Sequence, residues 1–228
     1  MCCRGNQAKN PSDWAGKWGD YNCDLPIWTL QQIHLSNQNA GNPDFIIWTG
    51  DNVAHDVLKS PFESAKSTLL ITDYIKEHYP DAIVYPIQGN HEFSPMNLQD
   101  LNEKNNPVID MISNVWRDWL PEESYEEYRK KSYYQSEASK HPLANEKLKQ
   151  KMEGTRILAL NLQSCYFFNF YLFSSLGDEL NQLAWLEKNL WEMERNGEKA
   201  IIIAHIPPGA HDCMDAFARR YQALADRF

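Results

Sequence analysis

Three short stretches hold the residues of this chain best suited to chemistry: FIIWTGDNVAHD (Phe45 to Asp56), AIVYPIQGNHE (Ala82 to Glu92) and IIIAHIPPG (Ile201 to Gly209). In each, an apolar run stops at a polar donor: Asp51 then His55, Asn90 then His91, and finally His205. Carboxylate, carboxamide and imidazole together suit zinc, manganese or iron, and not calcium, which prefers oxygen alone. An Asp can bridge two cations, and an Asn oxygen adds a ligand without adding charge, so the cations stay strong Lewis acids. With two cations about 3.5–4 Å apart, a hydroxide formed on them can attack phosphorus in line. The leaving alkoxide then needs a proton. His91, next to a ligand, is placed to give it, with His55 as partner or phosphate clamp.

Taken singly, these residues prove little. A Gly-Asp after a strand is usually a turn, and a buried His is more often a hydrogen-bonded core residue than a ligand. The ordered set, each member at the end of an apolar run, is hard to obtain from packing alone. His34, His78 and His141 lie in helical or polar sequence and are read as structural, while His211, in a loop near His205, is left open.

The elements that must position these residues follow from pattern. Phe45–Trp48, Ala82–Ile87, Ile157–Leu162 and Ala200–Ala204 are apolar on successive residues, as strands covered on both faces should be. Ser60-Pro61-Phe62-Glu63 combines an N-cap Ser, a Pro at the first helical position and a Glu three residues after the cap, which predicts a helix to about Tyr79, stopped by Pro80. Leu183, Leu186, Leu190 and Met193 fall on one face of a helix that Asp178 could cap and Gly197 could end. Val108–Leu120 is a further helix, and 121–154, rich in Tyr, Lys and Glu, reads as a solvated, charged insertion. Strand and helix alternate, so the fold class is α/β, and parallel strands would bring Asp51, His55, Asn90, His91, Asn161 and His205 to one rim. Gly50 and Gly89 allow sharp turns and close backbone approach there.

Composition bounds the rest. The 228 residues, 43% of them hydrophobic, are ample for a core, and a formal net charge of -9 repels polyphosphate backbones, so nucleic-acid binding is not expected. Phosphate chemistry would therefore depend on metal ions. No apolar run approaches the roughly 20 residues that span a bilayer, and the N-terminal residues lack a signal-peptide core. The five cysteines form no Cys-x-x-Cys pair, which argues against a zinc knuckle and leaves both free thiols and disulfides open. No Asn-x-Ser/Thr sequon occurs.

WTGDNVAHD, YPIQGNHE and IIIAHIPPG resemble blocks of the calcineurin-like metallophosphatases, and more narrowly of the acid sphingomyelinase and sphingomyelinase-like phosphodiesterase family. CCR, WGDYNCDLP, NLQSCYFFNF and LAWLEKNL resemble that family in the same order, from Cys2 to about Tyr221. The resemblance implies a sandwich of two sheets flanked by helices, two zinc ions, an extracellular or lysosomal setting, and hydrolysis of phosphodiester or phosphoanhydride bonds in a sphingolipid or nucleotide-like substrate. It implies disulfides Cys3–Cys23 and Cys165–Cys213, with Cys2 paired upstream, and residues 1–25 as a cysteine-containing N-terminal segment of one domain over 1–228. Carried over residue by residue, Asp51 is the bridging ligand, Asn90 and His205 bind one zinc, and His91 and His55 serve the leaving group and the phosphate. The family's early Asp-x-His and late Gly-His-x-His are missing from this sequence. The expectation is thus a partial domain with at most one well-formed metal site, inactive alone. A saposin-like module upstream would carry any approach to a membrane surface. The alternatives are a truncated, non-catalytic binding protein and a phosphomonoesterase of the wider superfamily.

Overall fold

The computed structural model describes residues 14–37, 41–55, 60–103, 105–174 and 177–228. In chain order these form α1 (Ile27–Asn37), β1 (Ile46–Trp48), α2 (Pro61–His78), β2 (Val84–Pro86), α3 (Pro107–Trp116), α4 (Glu122–Lys131), β3 (Tyr134–Glu137), α5 (Glu146–Lys151), β4 (Thr155–Leu160), α6 (Gln182–Asn196), β5 (Lys199–Ala204) and α7 (Asp215–Arg227). The α/β character expected from the sequence is present, as two small sheets among helices.

β1 and β2 pair in parallel, with Ile46 opposite Val84 and Trp48 opposite Pro86. The second sheet has the order β3-β4-β5, antiparallel between β3 and β4 and parallel between β4 and β5, with Ile157 opposite Ile201. β4 is the central strand, and its unbroken apolar run has a direct cause. Ile157 and Ala159 point into one core with Ile83, Ile112, Trp116 and Tyr128, while Leu158 and Leu160 point into a second with Leu183, Leu186 and Met193.

α2 begins as its sequence predicts. The Ser60 side chain accepts from the Glu63 amide, and the Glu63 carboxylate accepts from the Ser60 amide at 3.0 Å. α6 ends at Gly197, whose φ of 67° closes the helix in the left-handed region. At its other end Asp178 accepts from the amides of Leu183 (2.8 Å) and Ala184 (2.9 Å), across a turn over Glu179–Asn181. α3 stops at Trp116, short of the expected Leu120, because the chain turns there and buries Trp119 and Leu120 instead.

The reading of 121–154 as a solvated insertion is corrected. Tyr125, Tyr128, Tyr133, Tyr134, Ala138, His141, Ala144 and Leu148 are all buried, and β3 forms an edge of the larger sheet. The charges that suggested solvation occupy the outward face of α4, where Lys130 pairs with Glu126 and Lys131 with Glu127. Cys165 and Cys213 form a disulfide that ties the loop after β4 to the start of α7. The expected Cys3–Cys23 bridge and the pairing of Cys2 involve residues 2 and 3, outside the described residues. Among the described residues no helix is long and apolar enough to cross a membrane.

Candidate active site

The end of β1 and the end of β2 meet more closely than side chains would permit. Gly50 has φ 83°, and a methyl added there would overlap the backbone of Gln88 and Gly89; one added at Gly89 would overlap the Asp51 side chain. Both glycines are therefore required by contact. Asp51 follows with φ 60°, a conformation that costs a non-glycine residue about 1–3 kcal/mol and tends to persist at functional sites.

The amide of His91 donates to Asp51 Oδ1 at 3.1 Å. From the end of β5, His205 places Nε2 3.1 Å from Asp51 Oδ2 and 3.0 Å from Asn90 Oδ1. Asn90 is oriented by its own Nδ2, which donates to Asn97 Oδ1 at 2.7 Å and reaches the Tyr166 hydroxyl at 3.4 Å. His205 Nδ1 lies 2.7 Å from the Thr49 carbonyl, which can only accept, so Nδ1 carries a proton. Nε2 then faces two oxygen acceptors. A neutral imidazole has no proton left for them, so this corner calls for a second proton or a cation.

The electrostatics agree. Burial alone would raise the Asp51 carboxyl, yet the hydrogen bond and charge of His205 hold it below the usual range. Burial disfavours a charged His205, but its pairing with Asp51 lifts it above the ordinary imidazole value. For His91 burial prevails and lowers the value, with the Asp51 charge opposing. Its Nδ1 lies 3.2 Å from the Val53 carbonyl, and its ring meets that of His55 edge-on with centroids 4.1 Å apart. His55 is held in turn by Asp24, which receives its amide at 3.1 Å and faces its Nδ1 at 2.5 Å. Asp51, His55, His91 and Asp24 line one cleft of about 510 Å³.

Of the residues expected at the rim, Asp51, Asn90 and His205 converge directly, and His91 and His55 border them. Asn161 does not join them. It is buried in an amide network, donating to Gln99 at 2.8 Å and accepting from the Gln163 amide at 3.2 Å, because the turn after β4 folds back under α6. His141 is in the core and His34 packs on Tyr74, His78 and Tyr79.

Four participants were not foreseen. Asp24 and Tyr166 lie within WGDYNCDLP and NLQSCYFFNF, but neither directly follows an apolar strand run, so the pattern of strand-end donors does not mark them. Asn97 lies beyond the GNHE block. Glu92 stands inside it, so the signal was present: a carboxyl group next to two polar residues at a strand end, here fully buried.

Among the described residues no group of three or more His, Cys, Asp or Glu side chains is arranged to hold a metal ion, since this corner offers one carboxylate and one imidazole and completes its set with the Asn90 carboxamide. Even so, the donor chemistry and the doubly faced Nε2 fit a divalent cation. Oxygen and imidazole donors brought together at strand ends are what a metallophosphatase-type fold would place there.

The calcineurin-like phosphoesterase family matches residues 12–225, and the chain belongs to it. Membership implies divalent metal ions. The chain is 31% identical over 237 residues to a sphingomyelin phosphodiesterase of Bos taurus, covering 100% of this chain and 36% of that protein. It is 34% identical over 199 residues to the acid sphingomyelinase-like phosphodiesterase 3b of Mus musculus, covering 86% of this chain and 41% of that protein. A cyclic GMP-AMP phosphodiesterase of Bos taurus is 33% identical over 209 residues, covering 90% of this chain and 42% of that protein. The chain thus spans about two fifths or less of the length of these relatives.

Proposed function

We propose that this chain carries the central part of the active site of a phosphoric diester hydrolase of the sphingomyelinase type, acting on a sphingolipid or nucleotide-like phosphodiester. The observation that carries the reading is His205 Nε2, set between Asp51 Oδ2 and Asn90 Oδ1 while Nδ1 is committed to Thr49. Asp51, Asn90 and His205 would hold a divalent cation, and imidazole with mixed oxygen donors favours zinc. Once bound, the cation supplies Lewis acidity and water activation.

The chain's own residues supply the rest. Asp51, held with an unusual backbone, presents its carboxylate without needing to reorganise. Asn90 contributes an oxygen and no charge. His91 donates the proton that the leaving oxygen requires, and the Val53 carbonyl fixes its ring. His55, in the same cleft and oriented by Asp24, steadies a phosphoryl oxygen. The Cys165–Cys213 disulfide supports an extracellular or lysosomal setting.

The test is a zinc titration of this chain, followed by assay of the longer protein on bis- and mono-nitrophenyl phosphate. Zinc uptake with hydrolysis of the diester is expected. Hydrolysis of the monoester alone would make it a phosphomonoesterase, and zinc uptake without any turnover would favour a binding protein.

A further inference from the structure

We propose that Glu92 is a positioning residue that fixes the distance between the two metal-bearing loops. The proposal rests on the cation reading of Asp51, Asn90 and His205, and adds a residue that touches none of the reacting atoms. Glu92 is 0% exposed, and its carboxylate is chelated by three backbone amides: Asn52 on Oε1 at 2.6 Å, and Gly89 at 2.6 Å and Asp51 at 3.1 Å on Oε2. Two of these amides belong to the loop after β1 and one to the loop after β2. The carboxylate is therefore a clamp across the contact that Gly50 and Gly89 permit.

The clamp acts on Asp51 in particular. A residue at φ 60° stays there only if its surroundings hold it, and two successive amides, Asp51 and Asn52, are fastened to one carboxylate. Asn52 is fastened again through its side chain, which accepts from Trp48 Nε1 at 2.9 Å. Without the clamp, Asp51 can relax toward an ordinary backbone conformation. Its carboxylate would then leave His205 Nε2.

Glu92→Gln has nearly the same shape but one acceptor oxygen, and its amide nitrogen must face a backbone N–H. Packing alone would tolerate it; the clamp would not. Isothermal titration with zinc chloride compares the wild-type chain, E92Q and Ile112→Ala, a core substitution outside the site. The expected result is at least a tenfold loss of zinc affinity in E92Q, with wild-type affinity in I112A despite a lower melting temperature. Undiminished affinity in E92Q, or an equal loss in I112A, overturns the positioning role alone. A wild-type chain that takes up no zinc overturns the cation reading and this proposal with it. If E92Q does not fold, amide NMR of the wild-type chain asks the same question. The amides of Gly89, Asp51 and Asn52 should resist exchange and shift together on zinc addition, and amides indifferent to zinc would overturn the role.

Discussion

His141 and His205 both have their two ring nitrogens engaged, and the difference between them separates a structural histidine from the one proposed as a ligand. His141 Nε2 lies 2.9 Å from the Trp119 carbonyl, while its Nδ1 accepts from the Leu143 amide at 3.2 Å. One acceptor and one donor complete a neutral imidazole. His205 instead faces acceptors only, the Thr49 carbonyl on one side and two side-chain oxygens on the other. The first arrangement is closed, and the second is open to a cation. Burial differs only in degree, with His141 2% exposed and the His205 side chain 23% exposed, and degree of burial does not identify a ligand. The sign of the partners does.

The strongest way to break this comparison is to remove the partner that makes the His205 corner anionic. Asp51→Ala should abolish zinc binding and turnover together, because the remaining carboxamide and imidazole carry no charge to hold a cation. A variant that keeps its metal and its activity would sink the ligand role. Next in size is His91→Ala, expected to lower turnover of the longer protein by roughly 10²–10⁴-fold with metal content retained. Metal loss in that variant would make His91 a ligand and not a proton donor.

The closed histidine gives the opposite pattern. His141→Ala should cost about 1–3 kcal/mol, since it leaves the buried Trp119 carbonyl without its partner and frees the partly buried Leu143 amide, and zinc affinity should not change. Its pH signature has a definite sign. Burial lowers the His141 pKa below the ordinary value of 6.5, with the Trp119 bond opposing. The unfolded chain therefore takes up this proton at a higher pH than the folded chain. The stability His141 contributes is fully present above the unfolded value and declines as pH falls through it toward the lowered folded one. Melting temperatures between about pH 7.5 and 5.5 should fall more steeply for the wild type than for His141→Gln. Parallel slopes would show that the ring is not held neutral.

How far this was legible in sequence depended on where the determinants lie. Gly50-Asp51 and Gly89-Asn90-His91 are local signals, because a contact between two turns needs glycine and a site at a strand end needs polar residues after an apolar run. The start of α2 was equally local, written in Ser60, Pro61 and Glu63. The partition of four strands into two sheets was not, since a continuous apolar run fits any doubly covered strand. Residues 121–154 misled for a related reason: the Tyr and Leu side chains that enter the core are interleaved with charges on the other face of α4, and average composition hides that division. Asp24 reaches the site only through tertiary packing, 31 residues away in sequence from His55.

That distance makes Asp24 the finest test of the comparison, because it addresses a third histidine that is neither closed nor open. His55 has a side chain 55% exposed, and Asp24 one 22% exposed. A pair this accessible to water contributes only about 0–1 kcal/mol to stability. Asp24→Asn should thus leave the melting temperature almost unchanged. It retains one oxygen for the His55 amide or ring but loses the charge that orients the imidazole. If His55 only steadies a phosphoryl oxygen, KM should rise a few-fold with zinc affinity intact, and turnover at saturation should stay within about tenfold of wild type. A loss as deep as that of His91→Ala would move His55 from the edge of the cleft into the proton-transfer step.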